Sequence, residues 1–222
     1  IIRELPYDRQ RTSMQDFQMC KTCSEEYHDP SDRRFHAQPV ACNHCGPTFV
    51  LQTPERIFER MDEILIRVNR LIGSGGILAL KGTGGYHFLC NVLDNNAVAD
   101  LRKRKGREQK PFAVMFRDLN TMKDYCELND PEEKLITSWR RPIVLLKQRK
   151  PLAEAVSSGL GTIGALLPYM PIHYLICRQP GIEALVFTSG NLADNPVLTV
   201  DAEARKALQP VTSFFLSYNR EI

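Results

Sequence analysis

Two Cys-x-x-Cys pairs, Cys20/Cys23 and Cys42/Cys45, are separated by eighteen residues. Each pair can present two thiolates to one ion, and the loop between them can return the second pair to complete a tetrahedron. Four soft sulfurs in a closed site suit structural zinc, which holds a module together and leaves no open position for chemistry. Gly46 and Pro47 follow the second pair, as expected of a tight knuckle leaving a metal. A disulfide pair in a secreted domain is the competing reading, but nothing else in the chain looks secreted. His28, His36 and His44 lie nearby, yet four cysteines already fill the tetrahedron. Arg33, Arg34 and His36 fit a face toward a neighbouring domain and a solvated surface equally well.

Three further segments carry residue types suited to anions. Lys81-Gly-Thr-Gly-Gly-Tyr-His87 follows a short apolar run. Glycines at the end of a strand let backbone N–H groups approach an anion, and a flanking Lys adds charge. The segment is neither a P-loop nor a dinucleotide fingerprint, and a plain Gly-rich turn explains it as well. The second segment packs six cations into nine positions, Arg102, Lys103, Arg104, Lys105, Arg107 and Lys110. A solvated helix face is the bland reading. Gly106 interrupts the run, however, so Lys105, Arg107 and Lys110 are able to converge on one point, as polyphosphate recognition requires. The third is Thr188-Ser189-Gly190-Asn191, whose hydroxyl and amide groups suit a phosphate or ribose. Taken alone, these four residues read better as a turn with a helix N-cap.

The elements that must position these groups follow from periodicity. Residues 1–50 are polar and poor in aliphatics, so they bury too little to offset their ordering entropy without metal. The composition changes near residue 50, which divides the chain into a zinc module over 1–54 and an α/β domain over 55–222. Ile57, Met61, Ile64, Leu65, Val68, Leu71 and Ile72 recur at helical spacing, and Gly73 ends that helix. Residues 76–80 predict a buried strand. A second helix runs through Ala97–Leu101 into the basic run. Further strands are expected at 112–116, 143–146, 162–167, 184–188 and 214–217, with helices near 118–126, 131–138, 171–178 and 201–208. Such alternation defines an α/β fold.

The 222 residues contain 43% hydrophobic and 25% charged side chains, ordinary for a globular protein. A net charge of +3 is too small to imply nucleic acid. Of seven cysteines, Cys90, Cys126 and Cys177 remain after the four presumed ligands, and they read as free thiols of a reducing, cytoplasmic compartment. No apolar run approaches the ~20 residues that span a membrane, and no signal peptide is present. The chain opens on Ile1-Ile2-Arg3 with no initiator Met, and is read as part of a longer protein.

Taken together, Lys81 to His87, Lys105-Gly-Arg107 with Lys110-Pro111, Gly164-Ala-Leu-Leu-Pro168 and Thr188 to Asn191 resemble YrdC-like domains in content and order. The resemblance covers roughly 57–222 and implies a twisted open sheet with flanking helices that adenylates a carbamoyl-type substrate with ATP. The cysteine pairs, with Glu26-Tyr-His-Asp-Pro30 and Asp32-Arg-Arg-Phe-His-Ala-Gln-Pro39, resemble the second zinc finger of the HypF family, carbamoyltransferases of [NiFe]-hydrogenase maturation. That resemblance implies structural zinc on Cys20, Cys23, Cys42 and Cys45. It implies ATP with Mg2+ and carbamate from carbamoyl phosphate as substrates, and a HypE-like acceptor protein as the partner of the whole enzyme. It places Lys105, Arg107 and Lys110 on the triphosphate, and Ser189 and Asn191 on the nucleotide phosphates. Lys81 and the backbone of Thr83, Gly84 and Gly85 fall near the α-phosphate and carbamoyl group. His87 carries a weaker expectation of function than of structure.

Three departures stand against the tRNA-modifying relatives that make threonylcarbamoyl adenylate. Glu108 follows Lys105-Gly-Arg107 where those relatives carry Pro. The strand at 164–168 lacks their Arg, which changes what the carbamoyl end accepts. Ala193-Asp194-Asn195 replaces the usual Ser-Gly after Asn191. A threonylcarbamoyl-adenylate synthase is therefore one alternative. A non-enzymatic zinc ribbon that binds RNA or protein is the other, and it lacks aromatics among residues 102–110 to stack bases. Superfamily analogy extends to double-stranded RNA, which the sequence does not favour.

Overall fold

The computed structural model describes residues 1–15, 17–38, 47–107, 110–192 and 195–220. In chain order the elements are α1 (Lys21–His28), β1 (Phe49–Gln52), β2 (Ile57–Phe58), α2 (Met61–Gly73), β3 (Leu78–Lys81), β4 (Tyr86–Asn91), α3 (Asn95–Lys105), β5 (Ala113–Phe116), α4 (Leu119–Tyr125), β6 (Cys126–Glu127), α5 (Asp130–Thr137), β7 (Val144–Gln148), β8 (Thr162–Leu166), α6 (Pro171–Cys177), β9 (Ala184–Ser189), α7 (Asp201–Leu208) and β10 (Phe215–Tyr218). The strands form one mixed sheet in the order β2-β1-β10-β3-β4-β9-β5-β8-β7-β6. Among the described residues, β10–β3 and β5–β8 are the parallel pairs and the remaining neighbours are antiparallel.

Helices cover both faces of the sheet, so its central strands are apolar on both sides. On one face Ala79, Tyr86, Phe88, Val114 and Val186 pack with Val98 and Leu101 of α3 and with Ala204 and Leu208 of α7. On the other, Leu80, Leu89, Met115, Leu185 and Phe187 meet α2 and α6. Ile64, Val68 and Ile72 of α2 are each at most 1% exposed. Their four-residue spacing stacks them on one stripe, and each contributes about 2 kcal/mol of burial.

The first expected helix begins later than its periodicity suggests. Ile57 pairs with Gln52 in the β1–β2 hairpin, and α2 starts at Met61 with Asp62 and Glu63 against its dipole. Pro54 lies in the turn before β2, where its missing N–H breaks no ladder. The sheet draws β1 from 49–52, N-terminal to the division at 54/55. Periodicity does not reveal α1, the short strands β1, β2 and β6, or the central strand β4. Strand β4 continues from the Gly-rich turn and is buried on both faces, so no polar–apolar alternation marks it. Cys90, Cys126 and Cys177 are buried free thiols. No helix among the described residues is long and apolar enough to cross a membrane.

Candidate functional site

The three anion-suited segments meet at one end of the central sheet, where β3 and β9 leave and β4 and β5 enter. Asp94 caps α3 through the N–H groups of Asn96 and Ala97. At the other end of α3, Gly106 takes φ +63° and turns the chain, a conformation that favours glycine. That turn separates the fates of the cations. Arg102 is architectural: it donates to the carbonyls of Ala155 (3.0 Å from Nε), Arg107 (2.6 Å) and Lys110 (3.2 Å), and lies 4.5 Å from the centre of the Phe112 ring. Arg104 pairs with Asp100 at 2.8 Å.

Lys105 is only 3% exposed. Its ammonium donates to the carbonyl oxygens of Ser189 (2.5 Å) and Asn191 (2.6 Å) and to Asn191 Oδ1 (2.7 Å), which uses all three of its donors. Burial lowers its pKa to about 8, with the charges of Arg107 and Lys110 adding to the effect. Arg107 donates to Thr188 Oγ1 (3.2 Å) and to the Pro111 carbonyl (2.7 Å). Burial lowers the Arg107 pKa, and Arg102 lowers it further. Lys110 contributes its carbonyl to Arg102 and Arg107, while its exposed side chain acts on Lys105 through charge.

The Ser189-Gly190-Asn191 loop is pinned from within as well. The Ser189 hydroxyl donates to Asn191 Oδ1 at 2.7 Å, and the Asn191 amide donates to the Asn195 carbonyl. Gly190 N–H donates to the Tyr86 carbonyl at 2.6 Å. A Cβ on Gly190 would lie 2.7 Å from Tyr86 backbone, so no side chain fits there. Gly190→Ala is therefore expected to cost at least about 2 kcal/mol, the range for strain in a packed site, and to lower the urea midpoint. An unchanged midpoint would show the loop to be more pliable than its contacts indicate.

The Gly-rich turn is held by the Gly82 N–H donating to the Gly85 carbonyl at 2.8 Å. Thr83 and Gly84 are exposed at its tip. Gly85 takes φ +127°, and a Cβ there would strike Val197 at 2.4 Å. Lys81 is buried and points elsewhere than Lys105. It pairs with Asp201 at 2.8 Å and donates to the Tyr218 carbonyl at 3.3 Å. Tyr86 donates its hydroxyl to the same Asp201 oxygen at 2.9 Å. Lys81, Asp201, Arg205, Tyr218 and Arg220 line a cavity of about 490 Å3. The structure brings Lys105, Arg107, Ser189 and Asn191 together, while Lys81, expected with Thr83–Gly85 near the α-phosphate and carbamoyl group, takes its partners from α7 and β10. Asp201 reads in the sequence only as the start of a helix.

His87 stacks on Phe187 at 4.3 Å between ring centres, and His173 meets the same ring edge-on at 5.4 Å. Burial pushes the His87 pKa to about 4, opposed by the Gly85 carbonyl and aided by the Lys105 charge. Burial pushes His173 to about 3. The unfolded chain takes up protons below its ordinary histidine value of 6.5, whereas the folded one refuses them until near 4. Stability is therefore expected to be intact above pH 6.5 and to fall toward pH 4, by on the order of 1 kcal/mol per pH unit for each ring. Urea midpoints at pH 7.5 and 5 test this, and His173→Leu should flatten the dependence. An equally steep fall in that variant would assign the loss to other groups.

In the N-terminal segment Cys20 is the N-cap of α1 and Cys23 lies in its first turn; both are half-buried free thiols. Two thiols on one helical turn fit half of a tetrahedral zinc site. Cys42 and Cys45 lie outside the described residues. Among the described residues no group of three or more His, Cys, Asp and Glu side chains could hold a metal. Arg34 pairs with Glu26, and His36 packs against Tyr27 and Phe35.

Strands β3 to β10 of the mixed sheet, with the glycine-bearing turns and buried cations at one end, lie in the part of the chain that matches the Sua5–YciO–YrdC family. The family model described as "Telomere recombination" matches residues 70–222, and the chain belongs to that family. HypF carbamoyltransferases are among the relatives, and residues 19–52 match the model described as "HypF finger". Carbamoyltransferase HypF of Rhodobacter capsulatus is 41% identical over 225 residues, which cover 100% of this chain and 30% of that protein. A crystal structure of full-length HypF in the phosphate- and nucleotide-bound form superposes with a TM-score of 0.89 at 47% identity, covering 100% of this chain and 29% of that one. The threonylcarbamoyl-AMP synthase of Hydrogenovibrio crunogenus is 26% identical over 141 residues, 60% of this chain and 75% of that protein. The chain thus spans about three tenths of the length of the HypF relatives.

Proposed function

We propose that the α/β domain forms carbamoyl adenylate from ATP and carbamate, as one step of a carbamoyltransferase reaction. The observation that carries this reading is the buried Lys105 ammonium clamped into the Ser189–Asn191 loop, with Arg107 and Lys110 beside it. Fixed cations and backbone donors at strand ends are what adenylation needs. A carbamate oxygen attacks the α-phosphorus, the P–O bond to pyrophosphate breaks, and pyrophosphate leaves with the electron pair. Carbamate is already an oxyanion, so no general base is required.

Lys105 supplies charge and holds the loop. Arg107, Lys110, Ser189 and Asn191 contact the phosphates, and the turn of Thr83, Gly84 and Gly85 offers N–H groups near the reacting end. Lys81 acts from the neighbouring cavity, its charge balanced by Asp201. Mg2+ arrives on the nucleotide, since it prefers phosphate oxygens and water. The residues before β1 form a zinc module on Cys20, Cys23, Cys42 and Cys45, and the chain from Phe49 onward forms the adenylating domain. The names of the relatives support a carbamoyltransferase, and the fuller reading is a cytoplasmic enzyme whose acceptor is a HypE-like protein.

The test is carbamoyl-phosphate-dependent exchange of labelled pyrophosphate into ATP by the full-length enzyme containing this chain. Exchange without threonine is expected. Exchange that requires threonine would favour a threonylcarbamoyl-adenylate synthase instead.

A further inference from the structure

The chain's single tryptophan, Trp139, is 83% exposed, and Leu145 and Ile143 follow at 73% and 57%. They belong to one structural unit. The Arg141 N–H donates to the Ser138 carbonyl at 3.1 Å, which closes a turn with Trp139 and Arg140 at its tip. Arg141 takes φ +44°, a left-handed conformation costly for any residue but glycine, and Pro142 stiffens the exit toward β7. Arg140 lies 4.6 Å from the centre of the Trp139 ring, so the tip presents an indole and a guanidinium together. Along β7 the side chains alternate. Val144 and Leu146 enter the core, whereas Leu145 and Lys147 point to the opposite face. Ile143 shares that face: Gly164 is the cross-strand partner of Leu145, and a Cβ on it would lie 3.0 Å from Ile143 Cγ2. There α2 and α6 cover β3, β4, β9 and β5, but among the described residues their apolar cluster takes in no side chain of β7. The apolar strip has no helix over it. Residues 139–150 also hold five cations, Arg140, Arg141, Lys147, Arg149 and Lys150, and no carboxylate. Lys147 reaches Glu127 at 3.1 Å on the surface, while among the described residues Arg140, Arg149 and Lys150 have no carboxylate partner.

An apolar middle between cationic ends fits a complementary strip that is apolar in its middle and acidic at both ends. From Arg140 to Lys147 the surface runs on the order of 20 Å, the length of about four turns of α-helix. A helix is also what covers the rest of this face. Nucleic acid fits less well, because phosphates gain nothing from Ile143 and Leu145. A second copy fits less well too, because a two-fold contact would set these cations against themselves. We propose that the surface from Trp139 to Lys147 is the docking site for an amphipathic helix of a partner protein. Its apolar stripe packs on Trp139, Ile143 and Leu145, and its terminal carboxylates pair with Arg140 and Lys147. The inference is independent of the adenylation reading.

Because Trp139 is the chain's single tryptophan, its fluorescence reports on this surface alone. The ligand to titrate is a tryptophan-free synthetic helix of about four turns, with a leucine stripe and two glutamates at each end. Added to the native chain at low salt, it should shift the Trp139 emission to the blue and saturate, and high salt should weaken it. Leu145→Glu, at an exposed position, should weaken binding at least about tenfold. Arg140→Glu combined with Lys147→Glu should transfer the preference to a peptide ending in lysines. Both variants should keep the native urea midpoint and the native affinity for ATP–Mg2+. An emission left unmoved by the glutamate peptide would overturn the site, as would equal binding by Leu145→Glu. Tighter saturation by oligouridine would overturn it in favour of nucleic acid. A blue shift that grows with chain concentration alone would overturn it in favour of a second copy.

Discussion

Lys105→Met is expected to weaken ATP–Mg2+ binding at least a hundredfold, about 2.7 kcal/mol. Two losses combine. The phosphates lose a desolvated cation, and three oxygens on the Ser189–Asn191 loop lose their shared donor. Unpaired buried acceptors cost about 1–3 kcal/mol each unless the loop moves to water, and a loop that moves no longer presents Ser189 and Asn191. Lys105→Arg should not rescue binding, because a planar fork cannot point three donors at oxygens arranged around one ammonium. Arg107→Ala should cost less, roughly tenfold, since Arg107 makes fewer contacts with the loop. Affinity should also fall between pH 7 and 9.5, as a pKa near 8 removes the Lys105 charge. Calorimetric titration of the three variants checks this. Native affinity in Lys105→Met would refute the nucleotide assignment.

The second large effect concerns metal. The described part of residues 1–38 buries three large apolar side chains, Met14, Phe17 and Tyr27. At about 2 kcal/mol each they contribute about 6 kcal/mol. Ordering the backbone costs roughly 1 kcal/mol or more per residue, so this core is insufficient alone. Polar clamps assist: Arg9 donates to the Phe17 and Gln38 carbonyls at 2.8 and 2.9 Å, and Tyr27 donates to Gln38 Oε1 at 2.8 Å. Such bonds are worth about 1 kcal/mol each and do not close the gap. A strong chelator, or Cys20→Ser, should erase amide-exchange protection over residues 9–38. The amides of β3, β4 and β9 should keep theirs, because their cores belong to the sheet. Elemental analysis should find one zinc per chain before chelation. Retained protection in α1 after complete zinc removal would exclude the metal as the support of this segment.

Much of the sheet is legible from apolar runs: β5, β8 and β9 fall within a residue or two of their expected spans. The clustering of Lys105, Arg107, Ser189 and Asn191 is legible because glycine and cation patterns flank strand ends. Other features have no local signal. Strand β4 is buried on both faces and follows a Gly-rich turn, so no alternation separates it from that turn. Arg102 looks like its neighbours in the basic run, and only the fold shows it spent on carbonyls. Asp201 and His173 matter through partners distant in sequence. No periodicity reports that Lys81 finds Asp201, or that His173 shares Phe187 with His87.

Both margins of the ten-stranded sheet are two-residue strands, β2 and β6. A row of free backbone groups that short cannot template a foreign strand. The sheet is thereby shielded from growing sideways into a polymer, even though its interior strands are apolar on both faces. What the sheet leaves open are side chains of β7 and the turns and helices at its ends, including the end that gathers the cations.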